Sequence, residues 1–174
     1  NGTSAGAIGH LGVWKAGRIR YTGVLLGADV NLEFFEEGAE QGEGLDWNIR
    51  LSGTYHQIKM AVRESLFLGA RYYFFSTESV LGDSTDGDPG GLPWDVVKDS
   101  DMISDLAGLG VTATWDSRNT TFSPTEGLFA DLAWTVHDEL LGSDFNYSRV
   151  DLSAFKYWDL DRVVLGLRAE GGAV

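Results

Sequence analysis

From Val24 to Phe34 every second residue is apolar: Val24, Leu26, Ala28, Val30, Leu32 and Phe34 alternate with Leu25, Gly27, Asp29, Asn31 and Glu33. A helix would bring Asp29 beside Leu25 and Leu26 on one stripe. A strand puts the whole apolar set on one face. The same period recurs in Leu66–Phe74, Leu109–Trp115, Ala130–Val136, Val150–Ala154 and Val163–Ala169. One segment breaks step. Ile49, Leu51 and Tyr55 share one parity and Ile58, Met60 and Val62 the other, which predicts a bulge near Gln57.

The alternation predicts strands at about 5–14, 19–35, 46–62, 66–77, 106–117, 127–138, 145–158 and 162–173. Short turns fall at 15–18, 63–65 and 159–161, and a somewhat longer connection at 119–126. Loops fall at 36–44, 78–105 and 139–144. Short turns on one side and long loops on the other are the layout of an antiparallel up-and-down transmembrane β-barrel. Alternation alone also describes a soluble sandwich or lipocalin-like barrel. Length separates them, because spans such as 19–35 and 46–62 far exceed the about 5–6 residues of a usual strand. The polar face does so too. Asp29, Glu33, Arg50, Arg71, Asp131, Arg149, Asp151, Arg168 and Glu170 all stand opposite an apolar face, where a membrane barrel would turn them into a wet lumen. Trp14, Tyr21, Tyr72, Phe74, Trp115, Trp134 and Trp158 lie near strand ends, as interfacial girdles require.

Composition changes little of this. Hydrophobic residues make up 43% and no run of 18 apolar residues exists, so no helical span is expected. A mean hydropathy of -0.11 is compatible with a barrel, in which only alternate residues face lipid. The 23 glycines and 3 prolines suit many strands. Cysteine is absent, which removes disulfides and thiolate metal sites. A net charge of -13 argues against nucleic acid as a partner. His10, His56 and His137 are too scattered for metal-ligand spacing and read as plain polar strand positions. Asp83–Asp88 fails the EF-hand spacing and reads as a solvated acidic loop. No nucleophile motif, phosphate loop or paired-carboxylate constellation is present, so neither catalytic residues nor a cofactor or metal is expected.

The segment Trp115-Asp-Ser-Arg-Asn-Thr-Thr-Phe-Ser-Pro-Thr-Glu-Gly127 narrows the class. It resembles a strand–turn–strand signature of the Omp85 superfamily, the BamA/TamA-like bacterial surface antigens. The matching positions are Trp115, Asp116, Arg118, Asn119, Pro124, Thr125 and Gly127. Leu141–Asp144, Val163–Arg168 and Gly27–Phe35 resemble further family segments. Pro124 fixes φ and Gly127 permits a backbone shape other residues resist, and Asp116 and Arg118 share a parity that lets them pair. A turn staple without further role remains open for these residues.

The resemblance implies a bacterial outer-membrane location, with lipid and lipopolysaccharide around the barrel. It also implies work in outer-membrane protein assembly and insertion or in polypeptide translocation, with client proteins or periplasmic POTRA-type domains as partners. The alternative is a lone barrel that anchors a fused domain or acts as a passive pore. The family's POTRA domains and its Val-Arg-Gly-Phe loop are not visible in this sequence. The resemblance therefore implies one partial barrel domain over 1–174, about eight strands of a 16-stranded barrel, roughly the fourth to the eleventh.

Overall fold

The computed structural model describes residues 2–35, 44–83 and 101–174. Eight strands follow one another: β1 (Ser4–Trp14), β2 (Ile19–Phe35), β3 (Gly44–Ala61), β4 (Leu66–Asp83), β5 (Asp101–Asp116), β6 (Gly127–His137), β7 (Tyr147–Asp159) and β8 (Val164–Ala173). They form one sheet in the order β1 to β8, so each strand pairs with its neighbours in sequence. A 3-10 turn at Glu139–Leu141 lies between β6 and β7, and there is no α-helix among the described residues.

The turns have local causes. Lys15, Ala16 and Gly17 all take positive φ and reverse the chain between β1 and β2. Asp161 does the same between β7 and β8, where the Asp159 carboxylate accepts its backbone N–H at 3.0 Å. The expected strands stand, with two ends displaced. β4 runs on to Asp83 and β5 begins at Asp101, so both flanks of the expected 78–105 loop are strand. The middle of that loop, with most of the acidic stretch, lies outside the described residues, as does 36–43.

The chain divides into two compact units. The first comprises Asn1–Ile8, Leu25–Thr54 and Phe75–Asp105, and the second Gly9–Val24, Tyr55–Phe74 and Leu106–Val174.

The second unit carries the clearest faces, because its register is regular. Across β5 to β8 one set of rows reads Val111–Trp134–Val150–Ala173, Ala113–Leu132–Leu152–Gly171 and Trp115–Ala130–Ala154–Ala169. The rows between them read Thr112–Ala133–Asp151–Gly172, Thr114–Asp131–Ser153–Glu170 and Asp116–Phe129–Phe155–Arg168. The large apolar residues of the first set, Val111, Trp115, Leu132, Trp134, Val150 and Leu152, are exposed. Thr112, Thr114, Ala133, Thr135 and His137, on the other face, are buried. Across β5 and β6 the sheet thus buries its polar side and exposes its apolar side, the reverse of a soluble sandwich.

The β3 expectation needs correction. Tyr55 stacks on Tyr73 with ring centroids 6.5 Å apart, and Lys59 reaches Asp131 at 2.8 Å. Tyr55 and Lys59 therefore share the polar face, while Ile58 and Met60 are exposed opposite them. From Tyr55 to Met60 the period is therefore unbroken, and no bulge sits at Gln57. Tyr55 had grouped with Ile49 and Leu51 because its ring reads as apolar, although its hydroxyl lets it sit on a polar face.

Candidate functional site

The turn between β5 and β6 is built by its side chains. Asp116, at the end of β5, takes a forked pair of bonds from Arg118, Nε to Oδ1 at 2.9 Å and Nη2 to Oδ2 at 3.1 Å. These bonds hold the Arg118 guanidinium above its ordinary pKa range. Asn119 closes the connection. Its Oδ1 accepts from the N–H of Thr120 at 2.9 Å and of Thr125 at 3.1 Å, and its Nδ2 donates to Thr125 Oγ1 at 2.7 Å. Gly127 opens β6 at φ +109°, and a Cβ there would collide with the Ser117 carbonyl oxygen and come within 2.6 Å of Arg118 Cα. Only glycine suits both the dihedral and the space. Trp115 stands on the opposite, exposed apolar face, and Pro124 lies within the connection.

Asp116 and Arg118 do more than staple a turn. Arg118 lies over the Phe129 ring at 4.5 Å, Phe129 meets Phe155 edge-on at 5.8 Å, and Arg168 lies over Phe155 at 5.0 Å. On the other side Arg20 approaches Asp116 at 3.7 Å and covers Phe67 at 4.1 Å. A belt of cations and rings therefore crosses β2, β4, β5, β6, β7 and β8 at the turn end of the polar face.

Further along that face the charges pair between strands. Lys59 bonds Asp131 at 2.8 Å, and Thr114 also donates to Asp131. Arg71 donates to Thr135 Oγ1 from Nε at 2.9 Å and reaches Asp151 at 3.2 Å. Arg149 bonds Asp151 at 2.6 Å, and Arg168 bonds Glu170 at 2.5 Å. At the loop end His137, 1% exposed, stacks on Tyr147 with centroids 4.0 Å apart, and its Nε2 lies 3.1 Å from the Tyr73 hydroxyl.

The first unit holds a looser cluster. Arg50 lies 3.5 Å from both Asp29 and Glu78, and Asn48 donates to Asp29 at 2.7 Å and to Asn31 at 2.7 Å. These groups border a depression of about 540 Å³, lined also by Ser4, Gly6 and Ser52. Glu33 follows on the parity of Asp29 and Asn31 in β2.

Asp29, Arg50, Arg71, Asp131, Arg149, Asp151, Arg168 and Glu170 each make an ion pair within their own unit. Asp151 is partnered by Arg149, two residues before it on the same face. Asp131 is served instead by Lys59, which the strand pattern did not single out. Arg20, Glu78, Tyr73 and the phenylalanines of the belt were missed too. For Tyr73 and the phenylalanines the signal was parity, since each falls on the polar side of its strand; Arg20 and Glu78 fall on the parity read as apolar, and their partners lie tens of residues away. His137 is not the plain polar strand position expected of it, since it is buried in a ring stack.

Long antiparallel strands in up-and-down order, with a charge-paired face backed by an exposed apolar one, define the class of transmembrane β-barrel sheets. Within that class the chain belongs to the Omp85 superfamily: the Omp85 superfamily domain model matches residues 16–174. Proteins of this family reside in the outer membrane and act in outer-membrane protein assembly and translocation. No curated protein matches the chain.

Proposed function

We propose that this chain forms the wall of a BamA/TamA-like barrel that inserts outer-membrane proteins or passes polypeptides, with its paired polar face lining the lumen and its apolar face on lipid and lipopolysaccharide. The observation that carries this reading is the inverted burial of β5 and β6, whose apolar face runs on through exposed Val150 and Leu152 of β7. Buried Thr112, Thr114 and Thr135 stand on one face, and exposed Val111, Leu132, Trp134 and Leu152 on the other. The proposed work is non-enzymatic: holding and guiding unfolded client chains, with periplasmic POTRA-type domains as delivery partners. The belt from Arg20 to Arg168 at the turn end would be the first wall such a chain meets. Its rings and guanidinium groups suit a peptide that is itself part apolar and part acidic.

The test uses the complete protein in its own outer membrane. Depletion is expected to lower the folded fraction of other outer-membrane proteins, and a photo-crosslinker replacing Phe155 is expected to capture unfolded clients. A second reading, a passive conduit or anchor, draws on the density of fixed ion pairs across the wall, which favours rigidity. An unchanged outer-membrane protein profile with lost solute conductance, or with release of a fused domain, would support that reading and contradict the first.

A further inference from the structure

Within the paired rows of β5 to β8 the apolar face carries a single charge. Val150, Leu152, Ala154, Lys156 and Trp158 share that side of β7, and Lys156 stands between Leu128 of β6 and Leu167 of β8. Its ammonium lies 5.7 Å from the centroid of the Trp158 ring and pairs with no carboxylate among the described residues. The ring offers a partly negative face but no counter-charge. The next row toward the turn, Trp158 with Leu165, is apolar as well.

The posture of the lysine has a direction. Trp158 stands two residues nearer the turn, one residue from the end of β7 at Asp159. Holding the ammonium over that ring carries it toward the turn, while the residue stays half-buried along the sheet. Long cationic side chains on a lipid-facing surface run this way, methylenes on apolar neighbours and head toward the headgroups. Trp158 marks the turn-side interface. Inward of the lysine the surface dips. The next row is Trp115–Ala130–Ala154–Ala169, three alanines beside an indole, and exposed Leu132 and Leu152 rise beyond it. An acyl chain laid in that dip brings its own headgroup to the ammonium. Lipid covers this face, and the anion that lipid offers at this level is the phosphate of a phospholipid in the turn-side leaflet. A compact ammonium suits it as a point charge.

We propose that Lys156, above the alanine row of β6 to β8, holds the phosphate of an anionic phospholipid of the turn-side leaflet. The inference rests on the membrane reading of the apolar face. It is tested by native mass spectrometry of the complete protein in phosphate-free maltoside micelles, titrated with phosphatidylglycerol or with a phosphate-free galactolipid. The wild type is expected to take up one phosphatidylglycerol saturably, and the galactolipid only non-saturably. Lys156→Met and Lys156→Gln are each expected to weaken that uptake about fivefold, the worth of one cation near a lipid surface. Lys156→Arg, which keeps the charge, is expected to retain it. Arg63→Gln, which removes a charge from the turn between β3 and β4, is expected to leave it unchanged. Uptake by Lys156→Met and Lys156→Gln equal to that of the wild type, equal saturable uptake of the galactolipid, or an equal loss in Arg63→Gln overturns the proposal. Heat-modifiable migration of each variant, measured alongside, shows that it has folded. Its absence from the wild type would overturn the membrane reading itself.

Discussion

The Lys59–Asp131 pair and the Asp29–Arg50–Glu78 group look alike in the sequence, charges set within long strands, yet they are physically different. Lys59 and Asp131 are 2.8 Å apart with side chains only 16% and 20% exposed, and Asp131 takes a second bond from Thr114. Arg50 is 59% exposed and holds each of its carboxylates at 3.5 Å. Water and salt screen the second group, while the first has lost much of its hydration and depends on its partners. Alternation reports the face a charge occupies; packing decides what the charge is worth.

The sharpest break comes from the turn that starts β6. Gly127→Ala introduces both a strained positive φ and a backbone clash, and is expected to cost about 3 kcal/mol. In urea titrations of the membrane-reconstituted full chain it should show the largest loss of all, with a matching fall in the heat-modifiable form. Next comes Lys59→Met, which leaves Asp131 with Thr114 in a poorly hydrated place. A loss of about 2 kcal/mol is expected by the same titration. Arg118→Lys keeps the charge but gives up the forked bond to Asp116 and the flat stack on Phe129, for a loss of about 1 kcal/mol. Smallest is Arg50→Gln, expected within about 0.5 kcal/mol and flat between low and high salt. An Arg50→Gln effect equal to that of Lys59→Met would erase the distinction between the two clusters.

Strands and faces were legible because period 2 survives wherever one side meets apolar surroundings, as in Leu109–Trp115 and Ala130–Val136. The turn motif was legible for a similar reason. Asp116 and Arg118 are two residues apart and pair locally, and Gly127 answers a backbone need that no other residue meets. Partners across strands were not legible. Lys59 and Asp131 are 72 residues apart, and which of them meet depends on register across β4 and β5. Amphipathic residues also misled. Tyr55 counted as apolar and suggested a bulge at Gln57 that is absent, and His137 counted as polar although Tyr73 and Tyr147 bury it. The ends of β4 and β5 were drawn short because Glu78, Ser79 and Asp105 read as loop, although all three lie within paired strands.

The two faces of β7 offer the most direct measurement. Spin labels at Val150→Cys and Leu152→Cys, and at Arg149→Cys and Ser153→Cys, would be placed one at a time in the full chain reconstituted in lipid. Power-saturation EPR then compares collisions with oxygen, which concentrates in hydrocarbon, and with a water-soluble nickel chelate. Positions 150 and 152 are expected to favour oxygen and 149 and 153 nickel, alternating residue by residue. Uniform nickel access at all four positions, or the opposite alternation, would contradict an apolar face on lipid and a paired polar face on water.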